Sequence, residues 1–311
     1  MQENIMWKDM LFYMMIFIVI FLMTVFVPFL ILISLFLLPI PVIVFTAKYN
    51  IKNGVFIFAI ANLFAFFIAS YIGMFLSLFV TIGALYIGHM IHKKRSPYET
   101  LLYGAIGYVL GIVVAYVGSQ VLYDINWINT FEKNMYDSLD TFTSFIGQFG
   151  ASDELEKQMT LIESQIDQII LSFTAIFIII GTLFALITQW LSYKWMNWRE
   201  KSKLYFPPFH SFNFPIYLIW IHLIAIIFSY VGMEDGSFFY TMFVNLLALT
   251  TMCIIVQGYS FVFFFFHNRK VHTIIPIVIS IFTLIIPIFL IFIRIIGIID
   301  IGFRLKNRLK R

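Results

Sequence analysis

Seven of the polar side chains inside the long apolar runs of this chain are candidates for a functional site. None is a carboxylate, and one of them, a histidine, could exchange a proton. They are Asn62, Gln120, Gln189, His222, Asn245, Thr250 and Gln257. In lipid such groups hydrogen-bond one helix to another, or they line a cavity that binds a small neutral ligand. The sequence leaves both interpretations open.

Catalytic and metal-binding chemistry lacks its usual residues. No Asp or Glu stands at the centre of an apolar run, whereas proton-driven transporters usually need a buried ionisable relay. His89 and His92 are one helical turn apart, but no carboxylate or thiol accompanies them. Cys253 is the only cysteine, which excludes disulfides and thiolate metal sites. Phosphate-binding loops and the common hydrolase motifs are also missing from the sequence. We therefore expect neither an enzyme nor a bound metal or cofactor.

Composition places these residues in a membrane protein. Of the 311 residues, 61% are hydrophobic and 12% are charged, and the mean hydropathy is +0.95. A helix needs roughly 20 apolar residues to cross a bilayer, and several runs are longer than that. An open sheet would leave backbone groups unpaired in lipid. The sequence therefore predicts an all-α, polytopic transmembrane helical bundle in the cell (plasma) membrane.

About eight to nine spans are expected by this criterion. They are predicted at 9–27, 28–47, 54–72, 74–92, 99–123, 168–192, 215–231 and 237–266, and the ninth depends on the run 273–299. We expect the second span to be kinked or partly re-entrant near Pro39 and Pro41, and a tight turn near Tyr71 to Gly73. The first run has no small-residue cleavage site after it, so it is expected to be retained rather than removed as a signal peptide.

Charge predicts which side of the membrane each loop occupies. Short loops rich in Lys and Arg stay in the cytoplasm. Such clusters, at 93–95 and 194–203, flank a segment, 124–167, that carries nine acidic residues and two lysines. This segment is therefore predicted to be extracytoplasmic. The net charge of +4 comes largely from the cytoplasmic loops and the tail. We expect anionic lipid headgroups of the inner leaflet as their partners, and no nucleic acid.

The external segment 124–167 has the pattern of two amphipathic helices. Apolar residues recur at steps of three and four from Trp127 to Phe149, and again from Leu155 to Ile169. Between them, glycines can end the first helix, and Ser152 or Asp153 can cap the second. We predict an antiparallel helical hairpin. It serves either as a structural cap over the bundle or as a docking surface for an extracytoplasmic ligand or partner.

The apolar run 273–299 decides where the basic tail lies. A full span would carry the tail outside, against the positive-inside rule, and the run is too short for two crossings. Either the run turns back near Pro287 as a re-entrant hairpin, or the positive-inside rule fails at this end. We favour the first alternative, which keeps the tail inside. Arg294 is expected to be an interface anchor whose side chain reaches the lipid headgroups.

Small residues predict where helices pack closely. Two ridges with a four-residue repeat are Ala61, Ala65 and Ala69 in the third span and Gly107, Gly111 and Ala115 in the fifth. Such ridges pack within the chain or against a partner subunit. A basic linker rich in Pro and Phe divides the chain. The predicted divisions are a six-span block with the hairpin (1–193), the linker (194–214), a C-terminal membrane block (215–299) and a basic tail (300–311).

Five pairs of strings along the chain resemble the YybS-like family of uncharacterised bacterial membrane proteins. They are 38–41 with 48–54, 92–97 with 101–107, 206–209 with 214–215, 257–258 with 263–264, and 296–300 with 303–308. No catalytic or ligand-binding residues are established for that family, so the resemblance assigns none here. It implies a remote similarity to the substrate-binding S subunits of energy-coupling-factor transporters. It also implies a membrane-bound cyclic-dinucleotide phosphodiesterase as a candidate partner.

Two functions of different class follow. The preferred one is a small-molecule-binding, S-subunit-like membrane component, with a cavity that opens outward beneath the hairpin and is lined by amide and aromatic side chains. The alternative is a non-catalytic envelope interaction or scaffold protein. It would partner another membrane protein, for instance in cyclic-dinucleotide signalling.

Overall fold

The computed structural model describes residues 2–147, 153–230 and 237–309, and all regular structure in these ranges is helical. The helices are α1 (Gln2–Phe26), α2 (Ile31–Leu37), α3 (Ile40–Tyr49), α4 (Ile51–His92), α5 (Pro97–Tyr123), α6 (Trp127–Gly147), α7 (Asp153–Leu171), α8 (Phe173–Glu200), α9 (Tyr217–Tyr230), α10 (Phe238–Asn268), α11 (Ile274–Ile285), α12 (Leu290–Phe303) and α13 (Leu305–Leu309). The all-α prediction is confirmed.

Several of these helices are long and apolar enough to cross a membrane. Among the described residues six segments qualify, namely Asn4–Phe26, Pro28–Tyr49, Ile51–His92, Pro97–Tyr123, Phe173–Glu200 and Phe238–Asn268. A seventh is added if the bent pair α11 and α12 forms one span. The polytopic prediction is therefore confirmed, and the count of eight to nine spans stays a prediction.

The longest helix, α4, folds back on itself. Its backbone leaves helical geometry at Ala69 and Ser70, where Ser70 has φ 55°. Asn62 Nδ2 donates to Thr81 Oγ1 at 3.0 Å, although a straight helix would separate residues so far apart in sequence by about 28 Å. The arms 51–68 and 71–92 therefore run antiparallel, as two predicted spans require. The turn lies slightly before the expected position, because Gly73 is already packed against the first arm.

Prolines set the breaks at both ends of the chain. A short 3-10 turn begins at Pro28 after α1, and α2 gives way to α3 at Pro39. This is the kink predicted for the second span. Near the C-terminus, the axes of the segments on either side of Pro287 differ by 116°. The bend agrees with the expected turn near Pro287.

The chain divides into two compact units. The N-terminal unit comprises residues 1–150 and 176–206, and the C-terminal unit comprises residues 151–175 and 207–311. The division differs from the predicted blocks in two ways. It assigns α7 to the C-terminal unit, and it falls within the predicted linker rather than on either side of it.

The small-residue ridges lie within the N-terminal unit and are buried except at Ala69, which is partly exposed at the turn of α4. Ala61 and Ala65 are fully buried, and a Cβ on Gly73 would lie 2.8 Å from the Ala65 carbonyl oxygen. The first ridge thus faces the returning arm of α4. On α5, a Cβ on Gly111 would lie 2.7 Å from the Phe79 carbonyl oxygen, and Gly107 faces Tyr86. The second ridge therefore lets α5 approach the second arm of α4 closely.

Charge is segregated along the N-terminal unit. Lys48 forms an ion pair with Asp9, and Arg199 lies 4.1 Å from the ring centroid of Phe12. The His92 Nδ1 lies 3.0 Å from the Ala47 carbonyl oxygen, just before the Lys93–Arg95 cluster. These groups share one end of the unit. Since α5 starts beside that cluster and ends at Tyr123, the acidic segment begins at the opposite end.

The two predicted amphipathic helices of the 124–167 segment are present as α6 and α7. They belong to different units, and their antiparallel pairing stays a prediction. The predicted turn between them, including Ser152, lies outside the described residues, except for Gly147 and Asp153, which end α6 and begin α7. The expected outer turn at 234–236 and the last two residues of the tail lie outside them as well.

Candidate functional site

A cavity of about 540 Å³ lies within the N-terminal unit. Its walls come from α2, the second arm of α4, α5, the start of α6 and α8. Six of the fourteen lining residues are aromatic, namely Tyr71, Phe75, Phe79, Trp127, Phe177 and Phe184. No charged side chain is among its lining residues. A cavity of this size and lining suits a neutral, largely apolar small molecule.

One end of the cavity lies where α5 passes into α6. The Oδ1 of Asn126 accepts from the backbone N–H groups of Ile128 and Asn129 at 3.1 Å each, so it caps the start of α6. The hydroxyl of Tyr116 donates to the same oxygen at 3.2 Å. This cap fixes Trp127 against the cavity.

A pair of aromatic rings supports this end of the cavity. Tyr71, which lines it, stacks on Tyr123 with ring centroids 4.2 Å apart. The hydroxyl of Ser119, another lining residue, donates to the Tyr116 carbonyl oxygen at 2.8 Å. The groups left to recognise a polar atom of a ligand are therefore the Tyr71 hydroxyl and the Trp127 indole N–H, both at this end.

The cavity differs from the expected one because no amide side chain lines it. Asn62 bonds the two arms of α4 together. Gln189 Nε2 donates to the Pro97 carbonyl oxygen at 3.0 Å and to the Tyr193 hydroxyl at 2.8 Å. Gln120 is exposed on α5. Among the candidate polar residues of this unit, the two buried ones thus hydrogen-bond across the fold.

His222 and Asn245 hold helices together within the C-terminal unit. His222 is buried on α9, and its Nδ1 lies 2.9 Å from the Thr250 hydroxyl on α10. Asn245 bridges the break between α7 and α8. Its Nδ2 donates to the Leu171 carbonyl oxygen at 2.8 Å, and its Oδ1 accepts from the Ala175 N–H at 2.7 Å. These backbone groups would otherwise be unpaired at the helix break.

Gln257 is the centre of a buried polar cluster in the C-terminal unit. Its Nε2 donates to Asp300 Oδ2 at 2.5 Å and to Asn213 Oδ1 at 3.1 Å. Its Oε1 accepts from the Phe214 N–H at 2.9 Å. The side chain therefore joins α10 to α12 and to the segment that precedes α9, with every donor and acceptor of its amide group engaged.

Lys306 completes the cluster. It is 2% exposed, and its ammonium group donates to the Phe212 carbonyl oxygen at 2.7 Å and to the Ser260 hydroxyl at 2.8 Å. Its backbone N–H donates to Asp300 Oδ1 at 3.2 Å. After α12 the chain turns back so that Lys306 reaches the cluster, and it can do so because Arg304 takes a left-handed conformation, with φ 50°. Three of the five resembling string pairs meet here.

The sequence did not single out Asp300 and Lys306 as site residues. The predicted basic tail, 300–311, in fact begins inside α12, and Lys306 is buried rather than exposed as a tail residue would be. A signal was available in Asp300, a lone carboxylate at the end of an apolar run, because such a residue needs a partner. Arg294, the predicted anchor, is exposed on α12.

A second, smaller cavity of about 210 Å³ adjoins this cluster. Asp300, Gln257 and Lys306 form part of its wall, together with Arg304 and Asn307. The cavity is thus polar where the larger one is apolar. Each of the two units accordingly carries one candidate site with its own chemistry.

Comparison with known proteins agrees with the predicted family. A family model described as "Predicted membrane protein (DUF2232)" matches residues 15–301. The uncharacterised protein YybS of Bacillus subtilis (strain 168) is 27% identical over 294 residues, which cover 94% of this chain and 95% of the relative. No solved structure matches the chain. The YybS-like resemblance is confirmed, whereas the similarity to S subunits stays an expectation. The family model matches most of the chain, and the chain therefore belongs to the DUF2232 family of predicted membrane proteins.

Proposed function

We propose that this protein is a multi-pass component of the cell membrane that binds a small, neutral and largely apolar molecule in the cavity of its N-terminal unit. The observation that carries the proposal is the cavity itself, with about 540 Å³ of space and a wall of aromatic rings. Ligand pockets in proteins typically enclose about 300–1,000 Å³ and are lined in this way.

The chemistry of the wall limits the ligand. Contact with the apolar wall would cost a charged ligand part of its hydration, and no countercharge in the wall would compensate for that loss. A neutral molecule with rings or branched chains would pack against Phe79, Phe177 and Phe184. A single polar group on it could bond the Tyr71 hydroxyl or the Trp127 indole. The ligand would therefore lie with its polar end at the α5–α6 junction.

The proposed direction of entry follows from charge. Basic residues of the N-terminal unit, Lys48, Arg95 and Arg199 among them, lie at the end opposite to Asp124. The positive-inside rule assigns such an end to the cytoplasm. We therefore place the α5–α6 junction and the 124–167 segment outside the cell, so that the ligand enters from the exterior. An S-subunit-like role would additionally require an ATPase module on other chains.

Neighbouring positions on α5 provide the test. Ile112 is buried and lines the cavity, whereas Val113 is 45% exposed on the same helix and does not. The variants Ile112→Trp and Val113→Trp and the wild type are purified in mild detergent, and small molecules extracted from each are identified by mass spectrometry. A molecule retained by the wild type and Val113→Trp but lost from Ile112→Trp supports the proposal. The same molecules at the same levels in all three would contradict it.

A second candidate function rests on the exposed rings of α6. Phe142 is half exposed, and Trp127 is also partly exposed, on an amphipathic helix whose other face is polar. Exposed aromatic residues on a polar helix are typical of interaction sites. We propose as the alternative an envelope interaction protein whose membrane partner, for instance a cyclic-dinucleotide phosphodiesterase, contacts α6. Crosslinking from a photoreactive residue at Phe142 in intact cells should then capture a reproducible partner, and its absence would count against this function.

A further inference from the structure

We infer that the second cavity, in the C-terminal unit, binds the phosphate of an anionic phospholipid headgroup. It has about 210 Å³ of space, enough for a phosphate with a small polar substituent but not for a large hydrophobic ligand. Its polar lining residues are Asn213, Gln257, Asp300, Arg304, Lys306 and Asn307. These residues come from α10, α12, α13 and the segments beside them.

The charges in this wall do not cancel. Asp300 and Lys306 are both buried and lie 3.6 Å apart, so they neutralise each other. Arg304 is exposed and forms no ion pair within the described part of the chain. The cavity therefore carries one uncompensated positive charge. A guanidinium group matches a phosphate well, since it can donate two parallel hydrogen bonds to its oxygens.

The rest of the wall is already fixed. The amide group of Gln257 is saturated by Asp300, Asn213 and the Phe214 N–H, and the Lys306 ammonium is held by Phe212 and Ser260. These contacts define the cavity without a ligand. Asn307 is exposed at the same cavity, and its side chain forms no hydrogen bond to any residue that the structure describes. It therefore offers an additional donor to a phosphate oxygen.

The apolar side of the cavity distinguishes a lipid from a free phosphate. Phe214, Pro215, Ile216 and Ile301 line it as well. Directly beyond Ile216, the side chain of Tyr217 is 71% exposed at the start of α9. Free phosphate gains nothing from such a surface, whereas the glycerol and acyl chains of a phospholipid would pack on it. A tyrosine where a span begins is also typical of headgroup depth.

The test compares two exposed arginines near the C-terminus. Arg304 lines the cavity, and Arg308 on α13 does not. Full-length wild type, Arg304→Gln and Arg308→Gln in mild detergent are titrated with palmitoyl-oleoyl phosphatidylglycerol, and bound lipid is counted by native mass spectrometry. We expect Arg304→Gln to weaken binding about fivefold, as for the loss of one basic residue beside an anionic lipid, and Arg308→Gln to bind like the wild type. Equal weakening by both variants would show general attraction of charges and overturn the site.

Two further measurements test the proposal independently of Arg304→Gln. Asn307→Asp places a carboxylate at the exposed edge of the cavity, where the fold does not depend on this side chain, and it should also weaken lipid binding. If this variant binds lipid like the wild type, the proposal is overturned, even if Arg304→Gln fails to fold. Inorganic phosphate is titrated in parallel with thermal unfolding as the readout. Stabilisation by phosphatidylglycerol and not by inorganic phosphate supports the lipid. Equal stabilisation by both would overturn the lipid assignment.

Discussion

The carboxylate of Asp300 lies 3.6 Å from the ammonium group of Lys306, and both residues are almost completely buried. Their surroundings are polar, because Gln257, Ser260 and the Phe212 carbonyl oxygen supply the remaining hydrogen bonds. Removing two charges from water is costly, so such a pair persists when its geometry and its hydrogen bonds compensate. The pair ties the end of α12 to α10 and to the segment before α9.

Breaking this pair should destabilise the C-terminal unit strongly. Asp300→Asn leaves the buried Lys306 cation without its countercharge, and we expect a loss of about 3–5 kcal/mol in the free energy of unfolding. The measurement is thermal unfolding in detergent. The control is Asp124→Asn, which removes an exposed carboxylate at the end of α5. The double variant Asp300→Asn, Lys306→Met should be more stable than Asp300→Asn alone, and a less stable double variant would contradict the charge argument.

Two glycines at the crossing of α10 and α12 should tolerate no larger residue. A Cβ on Gly258 would overlap the Ile293 carbonyl oxygen, and one on Gly297 would overlap that of Ile254. Because both obstacles are backbone atoms, Gly258→Ala or Gly297→Ala must push the helices apart, at a cost of about 1–3 kcal/mol. Gly302→Ala is the matched control on α12, since its Cβ would meet only Ile219 Cδ1 at 3.4 Å. Equal melting temperatures for all three variants would refute the close crossing.

Asn245 should stabilise the break between α7 and α8. Asn245→Leu removes the partners of the Leu171 carbonyl and the Ala175 N–H, and each buried group left unpaired costs about 1–3 kcal/mol. We expect faster hydrogen exchange in peptides that cover residues 168–178, with little change elsewhere. Gln120→Leu serves as the control, because that amide is exposed on α5. Unchanged exchange at the break in Asn245→Leu would show that Asn245 does not stabilise it.

The proposed orientation makes a prediction for intact cells. In a Cys253→Ser background, a cysteine at Asp140 on α6 should react with a membrane-impermeant maleimide added to whole cells. A cysteine at Arg95, beside the basic end of the N-terminal unit, should react only after lysis. Both positions are exposed, so access to solvent does not favour either. The opposite labelling pattern would show that the orientation is the reverse of the proposed one, and it would contradict the proposed direction of ligand entry.

Local patterns determined the secondary structure of this protein. Helix class, the bends at Pro39 and Pro287 and the two amphipathic helices follow from composition, proline positions and apolar periodicity, which are properties of neighbouring residues. The fold-back of α4 also followed from the sequence, since 42 residues of helix are about twice what a bilayer requires. The capping box of Ser96 and Glu99 that begins α5 is equally local.

The sites depended on contacts that only the tertiary structure supplies. Gln257 meets Asp300 across 43 residues of sequence, and no local pattern encodes that distance. The sequence could not predict which residues line the cavity, because in a membrane protein the rings that line an interior space and the rings that face lipid are both apolar. Periodicity can separate polar from apolar faces, but it cannot distinguish two apolar faces from each other. The packing of α4, α5 and α8 made that distinction, and the return of the chain at Arg304 turned a predicted tail lysine into a buried one.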